Sequence, residues 1–178
     1  GSLELCQQFI CHNPARLPSP IEWVNKRRIR VKDSYTNLWW MSPSENPKAN
    51  NANVLTEYSQ SMRRLLDTGR YNPGIRPSEH LIGEESFARD NGGAIPPNVL
   101  QFSNTSSSSP YRTYCKSEGI KPHPAVMSEK LPAWFIRFLT DVGDTVLDPF
   151  AGSNTTGAAA ERLGRRWVAI ERDNDDNG

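Results

Sequence analysis

The fold is decided by Thr145-Val146-Leu147-Asp148-Pro149-Phe150-Ala151-Gly152-Ser153-Asn154-Thr155-Thr156-Gly157, which runs on through Ala158-Ala159-Ala160-Glu161-Arg162-Leu163-Gly164 to Trp167-Val168-Ala169-Ile170-Glu171. Thr145 to Leu147 is a short apolar run of the kind that fills a buried strand. Gly, Ser, Asn and Thr then make a loop, and the alanine-rich run to Leu163 predicts a helix with Gly164 as its C-cap. Trp167 to Ile170 predicts a second apolar strand. Strand, loop, helix, strand is a βαβ unit, and that unit implies a parallel sheet.

Chemistry is expected at the loop, because N–H groups at a helix start attract anions and glycines permit close approach. Three readings compete for Asp148 to Gly157. A phosphate-binding P-loop requires Lys and then Ser or Thr after its second Gly, but Ala158-Ala159 follow Gly157. A dinucleotide fingerprint requires Gly-x-Gly-x-x-Gly, which Gly152-Ser153-Asn154 breaks. An S-adenosylmethionine site requires donors for the methionine carboxylate, an acid near its ammonium group, and a second acid after the next strand for the ribose hydroxyls. Glu171 ends the second strand, 23 residues after Asp148. A plain structural βα turn in an unrelated α/β protein is the blander alternative. A bare Gly-rich turn would favour that alternative, and the placed acid weighs against it.

Working outward, Leu131, Phe135, Phe138 and Leu139 mark one face of a helix, with Pro132 tolerated in its first turn, and Gly143-Asp144 forms a turn. From Tyr71 to about Pro122 no period is sustained, and Gly, Pro, Asn and Ser punctuate an ordered, loop-rich stretch. Val54, Leu55, Tyr58, Met62, Leu65 and Leu66 follow helical spacing, closed near Gly69. Tyr35 to Met41 reads as an aromatic-rich strand, and Leu5, Phe9 and Ile10 form an apolar run that stops at Asn13-Pro14. Lys26, Arg27, Arg28, Arg30 and Lys32 place five cations within seven residues. No internal repeat is present.

The 178 residues suffice for one domain of ordinary size or part of a larger one. Hydrophobic residues at 36%, with five Trp, five Tyr and six Phe, supply a lean core. Lys+Arg 21 against Asp+Glu 20 leaves a formal charge of +1, so a nucleic-acid surface must come from local clustering. No run approaches the ~18 apolar residues of a membrane span, and Gly1-Ser2-Leu3-Glu4 has no secretory-signal character. The sequence opens without Met, which fits either a Gly1-Ser2 cloning scar or a piece of something longer. Three cysteines (Cys6, Cys11, Cys115) fit a reducing, cytoplasmic setting. The absence of Cys-x-x-Cys and the scatter of His12, His80 and His123 argue against a zinc site.

Asp148 to Gly157 resembles motif I of the amino-group DNA methyltransferases, in the class where that motif lies near the C-terminus. Lys121-Pro122-His123-Pro124-Ala125 through Leu131-Pro132-Ala133-Trp134-Phe135-Ile136 resembles the preceding segment, which closes the other wall of the cofactor pocket. Asn13-Pro14-Ala15-Arg16-Leu17-Pro18-Ser19-Pro20-Ile21-Glu22-Trp23-Val24-Asn25-Lys26-Arg27 is similar to PvuII-type cytosine-N4 methyltransferases. So are Arg30-Val31-Lys32-Asp33, Pro47-Lys48-Ala49-Asn50, Arg76-Pro77-Ser78 and Gly93-Ala94-Ile95-Pro96-Pro97-Asn98. Val126-Met127-Ser128 departs from the family's Arg-Phe-Pro, and the sequence ends soon after Glu171 where the family continues into a helix.

The resemblance implies a partial Rossmann-like, S-adenosylmethionine-dependent α/β methyltransferase fold. Residues 1–45 would give strands and a basic segment, 46–122 a loop-rich target-recognition region, and 123–178 the cofactor-binding βαβ unit. Asp148, Pro149, Phe150, Ala151, Gly152, Ser153, Asn154, Thr155 and Thr156 would line the methionine end, Glu171 the ribose, and His123 with Pro124 the facing wall. The reaction implied is methyl transfer to a DNA base, cytosine N4 before adenine N6, in a restriction-modification setting. The alternative is a non-catalytic DNA- or cofactor-binding remnant of such an enzyme. The family's catalytic Ser/Asn/Asp-Pro-Pro-Tyr/Phe accepts the amino hydrogens of a flipped base and stacks on it. Ser109-Pro110-Tyr111 lacks the second Pro and Pro96-Pro97 is followed by Asn98, so both read as structural and no catalytic residue is expected here.

Double-stranded DNA is the implied partner, with no membrane. Lys26, Arg27, Arg28, Arg30 and Lys32 would meet phosphates, and Arg76, Ser78, His80, Asn98, Asn104 and Ser106 are candidate readers. An unpaired sheet edge would favour a homodimer, or a missing N-terminal catalytic part would cover it.

Overall fold

The computed structural model describes residues 2–71, 74–75, 77–78, 81–82, 87, 89–103, 109–123 and 126–172. In chain order the elements are β1 (Glu4–His12), β2 (Tyr35–Ser42), α1 (Gln60–Thr68), β3 (Gly74–Ile75), β4 (Leu81–Ile82) and β5 (Val99–Gln101). They continue with α2 (Pro110–Glu118), α3 (Lys130–Leu139), β6 (Thr145–Asp148), α4 (Thr155–Arg162) and β7 (Arg166–Ala169). The chain forms two compact units: Gly1–Asn50 with Pro97–Gly178, and Asn51–Pro96.

In the first unit β1 is central, antiparallel to β2 and parallel to β5. Alternation along β2 turns Leu38, Trp40 and Ser42 inward and leaves Tyr35, Asn37, Trp39 and Met41 exposed. α3 covers the inner face. Phe9 is buried and meets Phe135, Trp134 and Phe138 edge-on at 5.2, 5.6 and 6.2 Å, and Trp40 meets Phe138 at 5.2 Å. The other side of α3 puts Ala133 and Ile136 against Ala159 and Ala160 of α4, with Val146 of β6 and Leu163 beside them. Small alanines let α4 approach closely, which explains why an alanine-rich run serves here. The outer sheet face stays open, with Trp39 67% exposed and Leu5 and Met41 paired beside it.

β6 and β7 pair in parallel from Thr145↔Arg166 to Asp148↔Ala169, the βαβ unit that the sequence predicts. Arg165 fixes its lower end. Its guanidinium donates to Thr140 O at 2.7 Å, Thr140 Oγ1 at 3.0 Å and Leu163 O at 2.6 Å, satisfying carbonyls where α3 and α4 end.

Two expectations are corrected. The helix foreseen from Val54 starts only at Gln60, because the Ser59 hydroxyl accepts the Met62 N–H at 3.2 Å and caps it there, while Val54 lies in a 3₁₀ turn, Asn51–Val54. Gly69, at φ +60, closes that helix as expected. The stretch 71–122, read as lacking regular elements, contains β3, β4, β5 and α2. Ser109 Oγ accepts the Arg112 N–H, Pro110 occupies the first turn, and Gly119 at φ +68 ends α2.

The second unit is held by α1, the β3–β4 pair and a bridge between Thr56 and Ala94. The Tyr58 hydroxyl donates to Asp90 Oδ1 at 3.0 Å and accepts the Asn91 N–H at 2.8 Å. Its flanks are anchored on the first unit's own elements. The Asn50 N–H donates to Phe138 O at 2.8 Å, and Lys48 Nζ reaches Asp141 Oδ2 at 2.8 Å and Asp144 Oδ2 at 2.6 Å. On the return, Asn98 Nδ2 donates to Gln8 O at 3.0 Å and Asn98 O accepts the Ile10 N–H at 2.9 Å. Among the described residues no helix is long and apolar enough to cross a membrane.

Candidate functional site

The crevice at the C-terminal ends of β6 and β7 has a cavity of about 270 Å³, lined by Asp148, Phe150, Gly152, Ser153, Thr155 and Glu171, with His123 and Met127 opposite. Ligands of open parallel α/β sheets bind at such strand ends. The loop is fixed mostly by its own backbone. Asp148 Oδ1 accepts the Phe150 N–H at 3.0 Å, Ala151 N donates to Ile170 O at 3.0 Å, and Asn154 N donates to Ala151 O at 2.8 Å. Phe150, 87% exposed, stands at the mouth.

Glu171 closes the circuit. Its Oε2 accepts the Gly152 N–H at 2.6 Å and its Oε1 accepts the Arg172 N–H at 3.0 Å. Two backbone N–H groups thus hold the acid in place at the loop. Gly152 stands at φ +51, and a Cβ there would meet His123 Cε1 at 3.4 Å. The position is therefore restricted by conformation and by the ring packed on it.

At the start of α4, Asn154 sits at φ +52 and its side chain caps none of the first-turn N–H groups. Ser153 Oγ and Thr155 Oγ1 lie 2.9 Å apart. The Asn154 carboxamide rests against Gly157, where any Cβ would collide with it, and Asn154 Oδ1 is buried with no hydrogen-bond partner among the described residues. A second cavity of about 470 Å³ shares Met127, Ser153 and Thr155 with the crevice, and is walled by Tyr111 and Tyr114 of α2, Val126 and Ala158. Glu129 and Arg162, an ion pair, also line it. Sequence reasoning missed this α2 wall. Its signal was present: Ser109-Pro110 and Gly119 bracket nine residues with a helix-start and a helix-stop pattern.

The basic segment is less free than its composition suggests. Lys26 and Arg27 pair with Glu22 at 3.3 and 3.1 Å, and Arg27 and Arg30 each stack on Trp23 at 4.6 Å. Lys32 Nζ donates to Pro14 O and Arg16 O, tying the long β1–β2 connection together. Arg28, at φ +56, is exposed and has no partner among the described residues. Asn98 uses its amide on the sheet, and Ser78 is exposed. Pro124, Arg76, His80, Asn104 and Ser106 lie outside the described residues.

A profile of the DNA methylase family matches residues 4–175. Type II methyltransferase M.PvuII of Proteus hauseri is 52% identical over 169 residues, covering 94% of this chain and 50% of that protein. DNA adenine methyltransferase YhdJ of Escherichia coli (strain K12) is 29% identical over 167 residues, 90% of this chain and 50% of YhdJ. The chain thus spans about half the length of the relatives it matches. Among solved structures, the PvuII cytosine-N4-specific DNA methyltransferase superposes with a TM-score of 0.71 at 41% identity over 98% of this chain and 49% of that one. The M1.HpyAVI–SAM complex superposes at 0.51 and 19% identity, covering 96% and 57%, a likeness of fold alone.

Proposed function

This chain belongs to the DNA methylase family, and from that membership we propose that it forms the cofactor-binding and target-recognition part of an S-adenosylmethionine-dependent DNA methyltransferase of a restriction-modification system. Its fold is the Rossmann-like α/β fold of the methyltransferases. The observation that carries the proposal is the pair of acids, Asp148 and Glu171, at the ends of adjacent parallel strands, with Glu171 held in place by the Gly152 N–H.

The residues present fit the group. Uncapped N–H groups at the start of α4, with Ser153 and Thr155 beside them, suit a carboxylate. Asp148 suits an ammonium, and Glu171, a carboxylate just past the second strand, suits ribose hydroxyls. The buried, unpartnered Asn154 Oδ1 marks a loop whose polar groups are incompletely satisfied by the protein itself. S-adenosylmethionine supplies a methyl group on a sulfonium. The chain's own residues bind and orient it, with the His123 ring on one side of the crevice and Phe150 at its mouth.

Cytosine N4 is the preferred acceptor, adenine N6 the second, supported by the 41% identity to the structure of the cytosine-N4-specific PvuII enzyme against 29% to the adenine methyltransferase YhdJ. Double-stranded DNA is the substrate and the cytoplasm the setting. Target recognition falls to residues 46–122, above all the compact Asn51–Pro96 unit, and Arg28 leads the phosphate contacts. The sequence holds no Ser/Asn/Asp-Pro-Pro-Tyr/Phe string, so we assign activation of the amino nitrogen to residues outside it, supplied by a complementary part. The open outer face around Trp39, which leaves large apolar groups in water, supports such a covering partner.

Titration calorimetry of the 178-residue chain with S-adenosylmethionine tests the cofactor assignment, and an absence of binding refutes it. Transfer of labelled methyl to DNA by the chain alone would refute the placement of the catalytic string elsewhere. Light scattering distinguishes a dimer from a monomer awaiting a complementary part.

A further inference from the structure

α2 supplies none of the loop or acid groups that define the crevice, yet one bond ties it to a crevice wall. The Tyr111 hydroxyl oxygen accepts the backbone N–H of His123 at 2.8 Å, at a partly buried position. Pro122 and Pro124 flank His123 and bring no N–H of their own, so His123 carries the sole backbone donor of that three-residue stretch. Tyr111 takes it. The prolines also bias Lys121 and His123 toward extended backbone, and the bond then sets where the stiffened segment lies.

The consequence reaches the loop. The His123 ring packs over Gly152, within 3.4–3.7 Å of where a Cβ would stand, and the Gly152 N–H is the group that Glu171 holds. α2 itself is firmly placed: Ser109 caps it, Cys115 is buried, and the Ile120 N–H closes on Cys115 O at 2.8 Å.

We propose that Tyr111 is a positioning residue of the cofactor site, fixing His123 against the Gly152 loop through the His123 N–H. This rests on the cofactor reading above. It also gives α2 a part in cofactor binding, although α2 falls within the stretch assigned to target recognition.

The test is Tyr111→Phe in the 178-residue chain, which keeps the ring and removes the acceptor. Calorimetry with S-adenosylhomocysteine and urea unfolding are measured together, with the His123 imidazole signals followed by NMR. Loss of the Tyr111–His123 hydrogen bond predicts about fivefold weaker S-adenosylhomocysteine binding and shifted His123 ring signals. Equal S-adenosylhomocysteine affinity in both proteins overturns this inference alone. A wild-type chain that binds none overturns the cofactor reading, and the inference with it. A lowered urea midpoint with unchanged affinity makes Tyr111 merely structural and also overturns it. Should the Phe variant fail to fold, 3,5-difluorotyrosine at 111, compared with wild type in mild acid where its phenol stays protonated, keeps the hydroxyl while weakening it as an acceptor. A smaller affinity loss with it supports the inference, and none refutes it.

Discussion

Replacing Gly157 by Ala sets two effects of opposite sign against each other. In an ordinary helix interior the change stabilises by about 0.5–1 kcal/mol, since glycine loses more backbone freedom on folding. Gly157 is buried in α4, and a Cβ there would lie 2.9 Å from both Cγ and Nδ2 of Asn154 and closer still to Oδ1. The whole carboxamide must leave its place, from a loop whose backbone is already at φ +52. Overfilling a packed site costs about 1–3 kcal/mol, which exceeds the helical gain. Gly157→Ala should therefore destabilise the chain by about 1–2 kcal/mol. At a urea slope of roughly 2 kcal/mol/M, the midpoint falls by about 0.5–1 M. The mechanism is checked by a double-mutant cycle with Asn154→Gly, which removes the carboxamide and suits the positive φ. In that background Gly157→Ala should recover its helical gain, giving a coupling of about 1–3 kcal/mol. A Gly157→Ala midpoint at or above wild type, or the same shift in both backgrounds, refutes the reasoning.

Glu171→Ala removes the partner of the Gly152 N–H and the proposed ribose acceptor, so calorimetry should show S-adenosylhomocysteine binding about ten- to a hundredfold weaker. Lys48 beside it, then the Asp141 N–H, hold the Asp144 carboxyl below its ordinary value of 3.8, so its contribution is present above that value and lost as pH falls through the lowered one. Urea curves of Asp144→Asn and wild type should accordingly differ at neutral pH and converge in strong acid, with salt shrinking the neutral difference because the pair is exposed. Lys48, raised by Asp141 and then Asp144, shows the opposite dependence: its contribution fades only as pH climbs beyond 10.5. Arg28→Ala should weaken DNA binding and lower the salt slope by about 1 without changing stability. Lys32→Ala should instead loosen the β1–β2 connection, seen as faster proteolysis between 13 and 34.

Local pattern made the βαβ unit legible. Apolar runs at 145–147 and 167–170 flank a Gly-rich loop and an alanine-rich helix, and chain proximity leaves them little choice but to pair in parallel. Glu171 could be placed for the same reason, one helix and one strand after Asp148. What escaped the sequence depends on distant contacts. The β1–β5 pairing joins residues about 90 positions apart, and no periodicity announces it. α2 is too short and too polar to show a face, so only its caps betray it. The cations at 26–32 read as a free basic patch because charge is visible in a sequence, whereas Trp23 lying between two of them and the carbonyls around Lys32 are not.

The anchoring of Asn50 on Phe138 and of Asn98 on Gln8 and Ile10 fixes where the intervening chain takes off and lands. Anything threaded between those two posts inherits the same attachment, whatever its own sequence. The stretch between the posts can then diverge across generations without disturbing the sheet that carries them, and a protein engineer can exchange it like a cartridge.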